Sequence, residues 1–319
     1  MGNTNIVVIG GGTGLSTILR GLKLYPFHIT AIVTVTDDGG SSGRLRDDYD
    51  IPPPGDIRNV IAALSDTEPL LEQMFQYRFS NSQDLGGHSL GNLMLTALTD
   101  ITGDFFSAII EMSRVLNVNG KVIPSANGIV NLHAELLDGQ IVKGESKISL
   151  SNKRIKRVFL VPEDVKPLPE AIAAINSADM ILIGPGSLYT SIIPNLLVKE
   201  IQETIIRSKA KKIYICNLMT QKGETNQYQA ADHVKAIYEH VGKPFLDAIL
   251  VNSNDLPYSI KETYKEQKAE PVKVNIEELQ KLGLAIIKKD IATIKNGVVR
   301  HDGKAIAEWL IDYSSKHIK

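Results

Sequence analysis

Short apolar runs rich in Val and Ile alternate with longer amphipathic stretches along much of the chain. This rhythm is typical of a parallel sheet that is buried on both faces and whose strands are joined by helices. It predicts strands over residues 6–9, 29–36, 180–183, 212–216 and 248–251, and helices over residues 196–208 and 227–240. The predicted fold class is therefore α/β, with a doubly wound, mostly parallel sheet.

The pattern changes in two regions. From residue 55 to 117 it is helical throughout, with breaks at Pro69, Gly86–Gly87 and Gly103, which predicts a helical layer. Over the insertion 127–150 the period falls to two, and Asp138–Gly139 is a hairpin signal between two runs.

Near the C-terminus, short strands over 285–288 and 297–300 are predicted to precede a helix over 303–313. Since no linker or repeat is visible, we predict one domain over 1–319.

Composition narrows the classes of partner. The chain has 43% hydrophobic and 22% charged residues and a formal net charge of −1, with no long Lys/Arg run, so nucleic acid and anionic membranes are disfavoured as main partners. The apolar run 6–9 is too short to span a membrane. The single cysteine, Cys216, suits a reducing compartment and is expected to be a small buried hydrophobe. These features predict a soluble, cytoplasmic protein.

Two glycine turns carry the main functional signal. GGGTGL, residues 10–15, follows the first predicted strand, and GPGS, residues 184–187, follows the third. A strand that ends in glycine before a helix leaves unpaired N–H groups and the positive end of the helix dipole facing one crevice. Because such turns meet at the carboxyl edge of a parallel sheet, we predict a nucleotide or nucleotide-sugar site. The candidate residues are Gly11, Gly12, Thr13, Gly14, Gly186 and Ser187.

The second predicted strand ends in TDDGGSSGRLR, residues 36–46. Asp37 stands where a dinucleotide-binding protein holds a ribose hydroxyl, so NAD is an alternative occupant, although Leu15 replaces the third glycine of that fingerprint. Arg44 and Arg46 offer guanidinium forks for a phosphate or carboxylate. The other candidate ligand contacts in this loop are Asp38, Ser41, Ser42 and Gly43.

A further acid and a further arginine follow in PPPGDIRN, residues 52–59. Asp56 is predicted to be a helix N-cap, and Arg58 is a candidate to face the ligand. Asp56 would also complete a set with Asp37 and Asp38 for a divalent cation such as Mg²⁺, although no spacing here specifies its ligands. No metal site is assigned on the sequence alone.

Amide side chains at the ends of predicted strands and the start of a predicted helix complete the candidate site. Asn92 opens the helix after GGHS, where His88 is expected to be structural, and Asn195 and Asn217 follow later strands. Amides suit neutral hydroxyls or a base edge better than proton transfer. Arg300 supplies a cation from the far end of the chain. No hydrolase nucleophile elbow is present.

Together these residues resemble the gluconeogenesis factor family, the YvcK-like proteins, within the wider group that includes the 2-phospho-L-lactate transferase CofD. The resemblance rests on IGGGTGL, TDDGGSSGRLR, PPGDIRN, GHSLGNL, ILIGPGSLYTSIIPNLL, ICNLMTQ and RHD. It implies a Rossmann-like fold that binds UDP-sugars, UDP-N-acetylglucosamine in particular, and a role in carbon-source-dependent control of cell shape and cell-wall synthesis. It also implies that Thr13, Asn195 and Arg300 contact the UDP-sugar.

Three functions remain open at this point. The first is a non-catalytic sensor that requires no cofactor and is read by an unidentified protein partner, with a homo-oligomer also open. The second is a Mg²⁺-assisted transferase that moves a phospholactyl group from a guanosine diphosphate donor to the deazaflavin Fo, as the resemblance to CofD implies. The third is an NAD-dependent oxidoreductase, suggested by Gly10, Gly12 and Asp37.

Overall fold

The computed structural model describes residues 4–81 and 83–317. Its strands are β1 Thr4–Gly10, β2 Phe27–Val33, β3 Lys121–Pro124, β4 Asn131–Leu136, β5 Ile141–Lys143, β6 Ile155–Val161, β7 Met180–Ile183, β8 Lys211–Ile215, β9 Ala248–Asn252, β10 Ala285–Lys289, β11 Ala292–Lys295 and β12 Val298–His301. Its helices are α1 Gly12–Leu22, α2 Gly40–Tyr49, α3 Gly55–Leu64, α4 Pro69–Gln76, α5 Leu90–Thr102, α6 Phe105–Val115, α7 Glu145–Ile148, α8 Pro169–Asn176, α9 Ile193–Leu196, α10 Lys199–Arg207, α11 Ala230–Val241, α12 Tyr258–Glu266, α13 Ile276–Lys281 and α14 Gly303–His317. A π-helical turn, Leu188–Ile192, precedes α9.

The central sheet runs in the order β10-β9-β8-β7-β1-β2-β3, and all of its neighbouring strands are parallel. Its middle strands are apolar because both faces are covered, and every residue of β7 is buried. The chain moves outward from β1 to β3 and then crosses back to β7, so the strand order reverses between β1 and β7. The predicted α/β, doubly wound, Rossmann-like fold is confirmed, and the reversal fixes where a ligand crevice forms.

The predicted hairpin is present in a larger form. β4 and β5 pair around Asp138–Gly139, and Gly139 has a φ of 83°, which favours glycine. β6, which the sequence analysis missed, adds a third antiparallel strand. Helices α3 to α6 lie between β2 and β3 in the chain and form the predicted helical layer.

Other boundaries differ from the predictions. β2 ends at Val33 rather than at residue 36. The reason is that its neighbour β1 ends at Gly10, opposite Val33, and the chain then enters α1, so residues 34–36 have no β1 residue to pair with. β3 was not predicted because its apolar run, Val122–Ile123, is only two residues long and lies between Lys121 and Pro124. β10 joins the central sheet, and the predicted strand near residues 297–300 forms a separate hairpin with β11.

The C-terminal helix packs on the helix that opens the first glycine turn. A Cβ added at Gly21 of α1 would lie 2.1 Å from the carbonyl carbon and oxygen of Gly303, where α14 begins. The two backbones therefore meet without an intervening side chain. Within the described residues no single helix is long and apolar enough to cross a membrane, and α5 with α6 passes that test only as a pair bent by 119°.

Candidate functional site

The two glycine turns meet at the point where the strand order reverses. The N–H of Gly184 donates to the carbonyl oxygen of Ile9 at 2.8 Å, which aligns the ends of β7 and β1. A Cβ added at Gly14 would lie 3.0 Å from the carbonyl oxygen of Pro185, and one added at Gly186 would lie 3.2 Å from that of Gly11. The structure thus places the turns side by side, as expected from the sequence.

The N-terminus of α1 already holds a carboxylate. The N–H of Gly12, whose φ is 65°, donates to Oδ2 of Asp56 at 2.7 Å. A Cβ added at Gly11 would lie 2.6 Å from the same oxygen. Asp56 was predicted to be the N-cap of its own helix, but Pro54 occupies that position and Asp56 lies in the first turn of α3. Its carboxylate caps α1 instead, because tertiary packing brings the two helix starts together.

Acidic side chains crowd this end of the crevice. Burial and then the charge of Asp37 raise the pKa of Asp56 to about 6, against the opposing effects of the Gly12 N–H and Arg58. Burial, followed by the charge of Asp37 and that of Glu224, raises the pKa of Glu145 to about 8. Glu145, at the start of α7, was missed by the sequence analysis because no local motif marks it. Perturbed carboxyl groups in a cleft mark a candidate functional site.

The paired acids Asp37 and Asp38 are engaged with backbone groups. Oδ1 of Asp37 accepts from the N–H of Gly39 at 2.9 Å, and Oδ1 of Asp38 accepts from the N–H of Ser146 at 2.8 Å. In residues 4–81 and 83–317, no three His, Cys, Asp or Glu side chains are arranged to hold a metal ion. The acids proposed for Mg²⁺ therefore do not form a ligand set in this arrangement of the described residues.

Amide groups hold the second glycine turn in shape. Nδ2 of Asn217, at the end of β8, donates to the carbonyl oxygen of Gly186 at 2.8 Å, and its Oδ1 accepts from the Gly186 N–H at 3.4 Å. Oγ of Ser187 donates to Oε1 of Gln221 at 2.8 Å, and Nε2 of Gln221 donates to Oε1 of Glu224 at 3.0 Å. Gln221 and Glu224 were not among the predicted site residues.

Glu224 joins the turn to the antiparallel insertion. Its carboxylate accepts from Oγ of Ser149 at 2.7 Å, from the N–H of Tyr189 at 3.2 Å and from Oγ1 of Thr190 at 3.2 Å. Only 4% of the residue is exposed, and burial raises its pKa although these donors oppose the shift. The carboxylate thus supplies acceptors to both the π-helical turn and the segment after α7.

Asn195 lies beneath the crevice. It is fully buried, and its Nδ2 donates to the carbonyl oxygen of Gly10 at 3.1 Å and to that of Ser191 at 2.7 Å. Its Oδ1 has no hydrogen-bond partner in the described part of the chain. Asn195 therefore ties the first glycine turn to the π-helical turn that follows the second.

The serines of the TDDGGSSGRLR loop are buried at the start of α2. Ser41 Oγ contacts Nδ1 of His88 at 3.0 Å and accepts from Nδ2 of Asn92 at 3.0 Å. A Cβ added at Gly43 would lie 2.2 Å from the carbonyl oxygen of Asp38. A Cβ added at Gly55 would lie 2.3 Å from Oγ of Ser42. Ser41, Ser42, Gly43 and Asn92 consequently pack α2 against α3 and α5 behind the acidic groups.

Two predicted contacts are exposed near the same edge. Thr13 lies in the first turn of α1, and Arg300 lies on β12.

The residue after Arg300, His301, is buried, and its Nε2 lies 3.0 Å from the carbonyl oxygen of Cys216 at the end of β8. This bond holds the β11–β12 hairpin at the carboxyl edge of the sheet. Burial lowers the pKa of His301 to about 4 and raises that of Cys216 to about 12, so both groups are neutral and inert.

A separate groove of about 1000 Å³ lies over the first halves of β1 and β2, between α6 and α8. None of the predicted site residues lines it. The crevice at the two glycine turns, rather than this groove, therefore collects the candidate chemistry.

Comparison with known proteins agrees with this geometry. The sequence profile of the family described as 2-phospho-L-lactate transferase CofD matches residues 6–292. The chain belongs to the CofD family. The gluconeogenesis factor of Bacillus subtilis (strain 168) is 62% identical over 307 residues, covering 96% of this chain and 97% of that protein. The protein of the same name from Listeria monocytogenes is 49% identical over 306 residues, covering 96% and 94%.

The crystal structure of a protein from Bacillus halodurans has the same fold. It superposes with a TM-score of 0.95 at 56% identity and covers 97% of this chain and 99% of that chain. Together with the named relatives, this similarity confirms the YvcK-like group within the CofD family that the motifs indicated.

The raised acid pKa values predict a pH dependence of stability for this CofD-family protein. An acid whose pKa is higher in the folded state resists ionisation there, so its stabilising contribution is complete below its unfolded pKa and is lost as the pH rises through the folded value. For Glu145 the window runs from the ordinary glutamate pKa of 4.5 to the folded-state pKa of about 8. We expect Glu145→Gln to lose less unfolding free energy than the parent protein between about pH 5 and about pH 8.5, measured by urea unfolding.

The matched control for this experiment is Glu111→Gln, which removes an acid from an exposed pair with Arg114. It is expected to follow the pH profile of the parent protein. Identical profiles for Glu145→Gln and the parent would show that Glu145 ionises normally in the fold.

Proposed function

We propose that this chain is a cytoplasmic regulatory protein that binds a nucleotide sugar of the UDP-N-acetylglucosamine type at the crevice between β1 and β7. The observation that carries the proposal is the contact between the two glycine turns, where a Cβ at Gly14 would come within 3.0 Å of Pro185. Open α/β sheets bind ligands in the crevice at such a reversal of strand order.

The chemistry around the turns favours a ligand that carries both phosphate and neutral hydroxyl groups. Thr13 supplies an exposed hydroxyl and Arg300 a cation from the adjacent hairpin, while Ser187 and Asn217 hold the second turn in shape. The regulatory role, in carbon-source-dependent cell morphogenesis and cell-wall synthesis through a protein partner, follows from the family resemblance. The name gluconeogenesis factor, which the relatives carry, supports only the link to carbon metabolism.

The direct test is calorimetric titration of the full chain with UDP-N-acetylglucosamine, GDP and NAD, each with and without Mg²⁺. We expect saturable binding of the UDP-sugar that does not require Mg²⁺. Preference for GDP with Mg²⁺ would favour a transferase, and preference for NAD would favour an oxidoreductase. No binding of the UDP-sugar would contradict the proposal.

The two exposed residues provide a sharper prediction. Thr13→Ala and Arg300→Ala are each expected to weaken UDP-N-acetylglucosamine binding by about 1–3 kcal/mol, the range for losing a hydrogen bond, with Arg300 at the upper end because its bond is charged. Arg207→Ala is the matched control, since Arg207 ends α10 and pairs with Glu203 on the surface. Unchanged affinity in both site variants would refute the placement of the ligand.

A transferase is the second candidate, because the matching family profile is described as 2-phospho-L-lactate transferase. It predicts conversion of a diphospho donor when the protein is mixed with Mg²⁺ and an acceptor such as Fo. Product formation followed by chromatography tests it. A donor that stays intact under every acceptor tried would leave the binding function as the better account.

A further inference from the structure

Three arginines converge next to the acidic end of the crevice. We call Arg44, Arg58 and Arg78 the basic cluster. Nη2 of Arg44 donates to the carbonyl oxygen of Gly86 at 2.6 Å, and Nη1 of Arg78 donates to that of Gly87. The carbonyl groups of two successive residues in one turn thus hold two guanidinium groups. The positive charge of Arg78 also lowers the pKa of Arg58.

Arg58 is the buried member of the basic cluster. Only 6% of it is exposed, its Nη2 donates to Oδ1 of Asn59 at 2.7 Å, and its Nε has no partner in the described residues. Burial and then the charge of Arg78 lower its pKa to about 10, although Asp56 and Asp37 oppose the shift. A buried guanidinium with an unused donor is costly unless something completes its hydrogen bonding.

No carboxylate of the described chain does so. Within residues 4–81 and 83–317, none of the three guanidinium groups lies within 4.0 Å of an acidic oxygen. Arginine forks match the oxygens of phosphate and carboxylate groups, so converging arginines without an acidic partner form a receptor for such a group.

His88 adds a neutral donor beside the basic cluster. Because Nδ2 of Asn92 donates to Ser41 Oγ, the Ser41 hydroxyl proton is free to go to Nδ1 of His88, which assigns the ring proton to Nε2. Burial and the charges of two cluster arginines lower the pKa of His88, with Asp48 opposing, so the ring is neutral near pH 7. The ring therefore adds a hydrogen-bond donor without adding repulsion.

We infer that the basic cluster is a subsite for a small oxyanion group, a phosphate or a carboxylate, distinct from the two glycine turns. The N-terminus of α1, the expected anion position, is occupied by the Asp56 carboxylate at 2.7 Å from the Gly12 nitrogen. An anion that enters this end of the crevice meets acids at the turn. Beyond them it meets arginines that have no carboxylate partner among the described residues. The inference goes beyond the proposed function and does not depend on the identity of the nucleotide.

The test uses inorganic phosphate as the probe on the full chain. The parent protein is expected to bind a single phosphate by calorimetry and to gain thermal stability as phosphate is added, because a ligand bound only to the folded state stabilises it. The double variant Arg44→Ala/Arg78→Ala, whose members are both exposed, should bind phosphate at least about tenfold more weakly. Arg207→Ala is again the matched control and should bind as the parent does.

Arg58→Met tests the buried member while keeping most of its volume. Its far-UV circular dichroism establishes whether it folds, and a folded variant is expected to lose phosphate binding. The inference is overturned if the parent protein does not bind phosphate, or if the double variant binds it with the parent's affinity.

Repeating the phosphate titration with saturating UDP-N-acetylglucosamine identifies the source of the anion. Competition would mean that the basic cluster holds a phosphate of the nucleotide sugar, whereas independent binding would mean a second, phosphorylated or carboxylated metabolite. Both results support the subsite. Phosphate binding in a protein that ignores the UDP-sugar would refute the proposed function and leave the basic cluster as assigned.

Discussion

Glu224→Ala is expected to lower the free energy of unfolding by about 3 kcal/mol and to weaken UDP-sugar binding at the same time. The variant leaves donors from Ser149, Tyr189 and Thr190 without their acceptor, in a place where only 4% of Glu224 reaches solvent. It also frees Gln221, which holds Ser187 of the second glycine turn. Urea unfolding and calorimetry measure the two effects.

Glu224→Gln is the matched variant for this prediction. It keeps the volume and one acceptor oxygen and removes a buried charge, so it should cost about 1 kcal/mol. An equal loss in both variants would show that the charge of Glu224, rather than its hydrogen bonds, holds the turn. A loss well below about 1 kcal/mol in Glu224→Ala would contradict the assigned role.

Gly21→Ala is expected to destabilise the protein by about 3 kcal/mol, at the upper end for overpacking, because its new methyl would meet backbone rather than a flexible side chain. That methyl would lie 2.1 Å from the carbonyl group of Gly303. α14 begins at Gly303, directly after the hairpin that carries Arg300, so displacing it should also weaken UDP-sugar binding. Denaturant unfolding and calorimetric titration measure the two effects.

Two further variants isolate this contact. Gly303→Ala should destabilise in the same way, since its Cβ would lie 2.6 Å from the carbonyl oxygen of Thr17. Because both substitutions disturb one helix contact, their combined effect should fall short of the sum of the single effects. Arg20→Ala, one position away and partly exposed, is the control and should change stability by less than about 0.5 kcal/mol. Full additivity of the two glycine variants would argue against a shared contact.

Local signals predicted the strands that form the crevice. β7 lies over residues 180–183 as predicted, and β1 contains the predicted run 6–9, because fully buried parallel strands are continuous apolar runs. β3, which has the same length as β7, escaped prediction because only Val122 and Ile123 are apolar residues typical of a strand, and Pro124 is not expected in a strand interior.

The environment of the site residues was less predictable. Asp56 carries the sequence pattern of a cap for α3, yet it caps α1, whose Gly12 is 44 positions away. Glu145 has no motif of its own, and the stretch 218–225, which contains Glu224, does not report its burial. Both acids matter because the antiparallel insertion and the segment after β8 fold over the second glycine turn. Such contacts depend on sequence separations that local patterns do not report.

The sequence by itself determined the parallel strands, the two glycine turns at their ends and the family, since periodicity and glycine placement are local properties of the chain. Only the tertiary structure decided how the charges are arranged. It put Asp56 on the N-terminus of α1, buried Asn195 beneath the turns and brought Arg58 beside Arg78 with no acidic partner among the described residues. The physical reason is that pKa values and ion pairing depend on burial and on neighbours in space, which packing supplies.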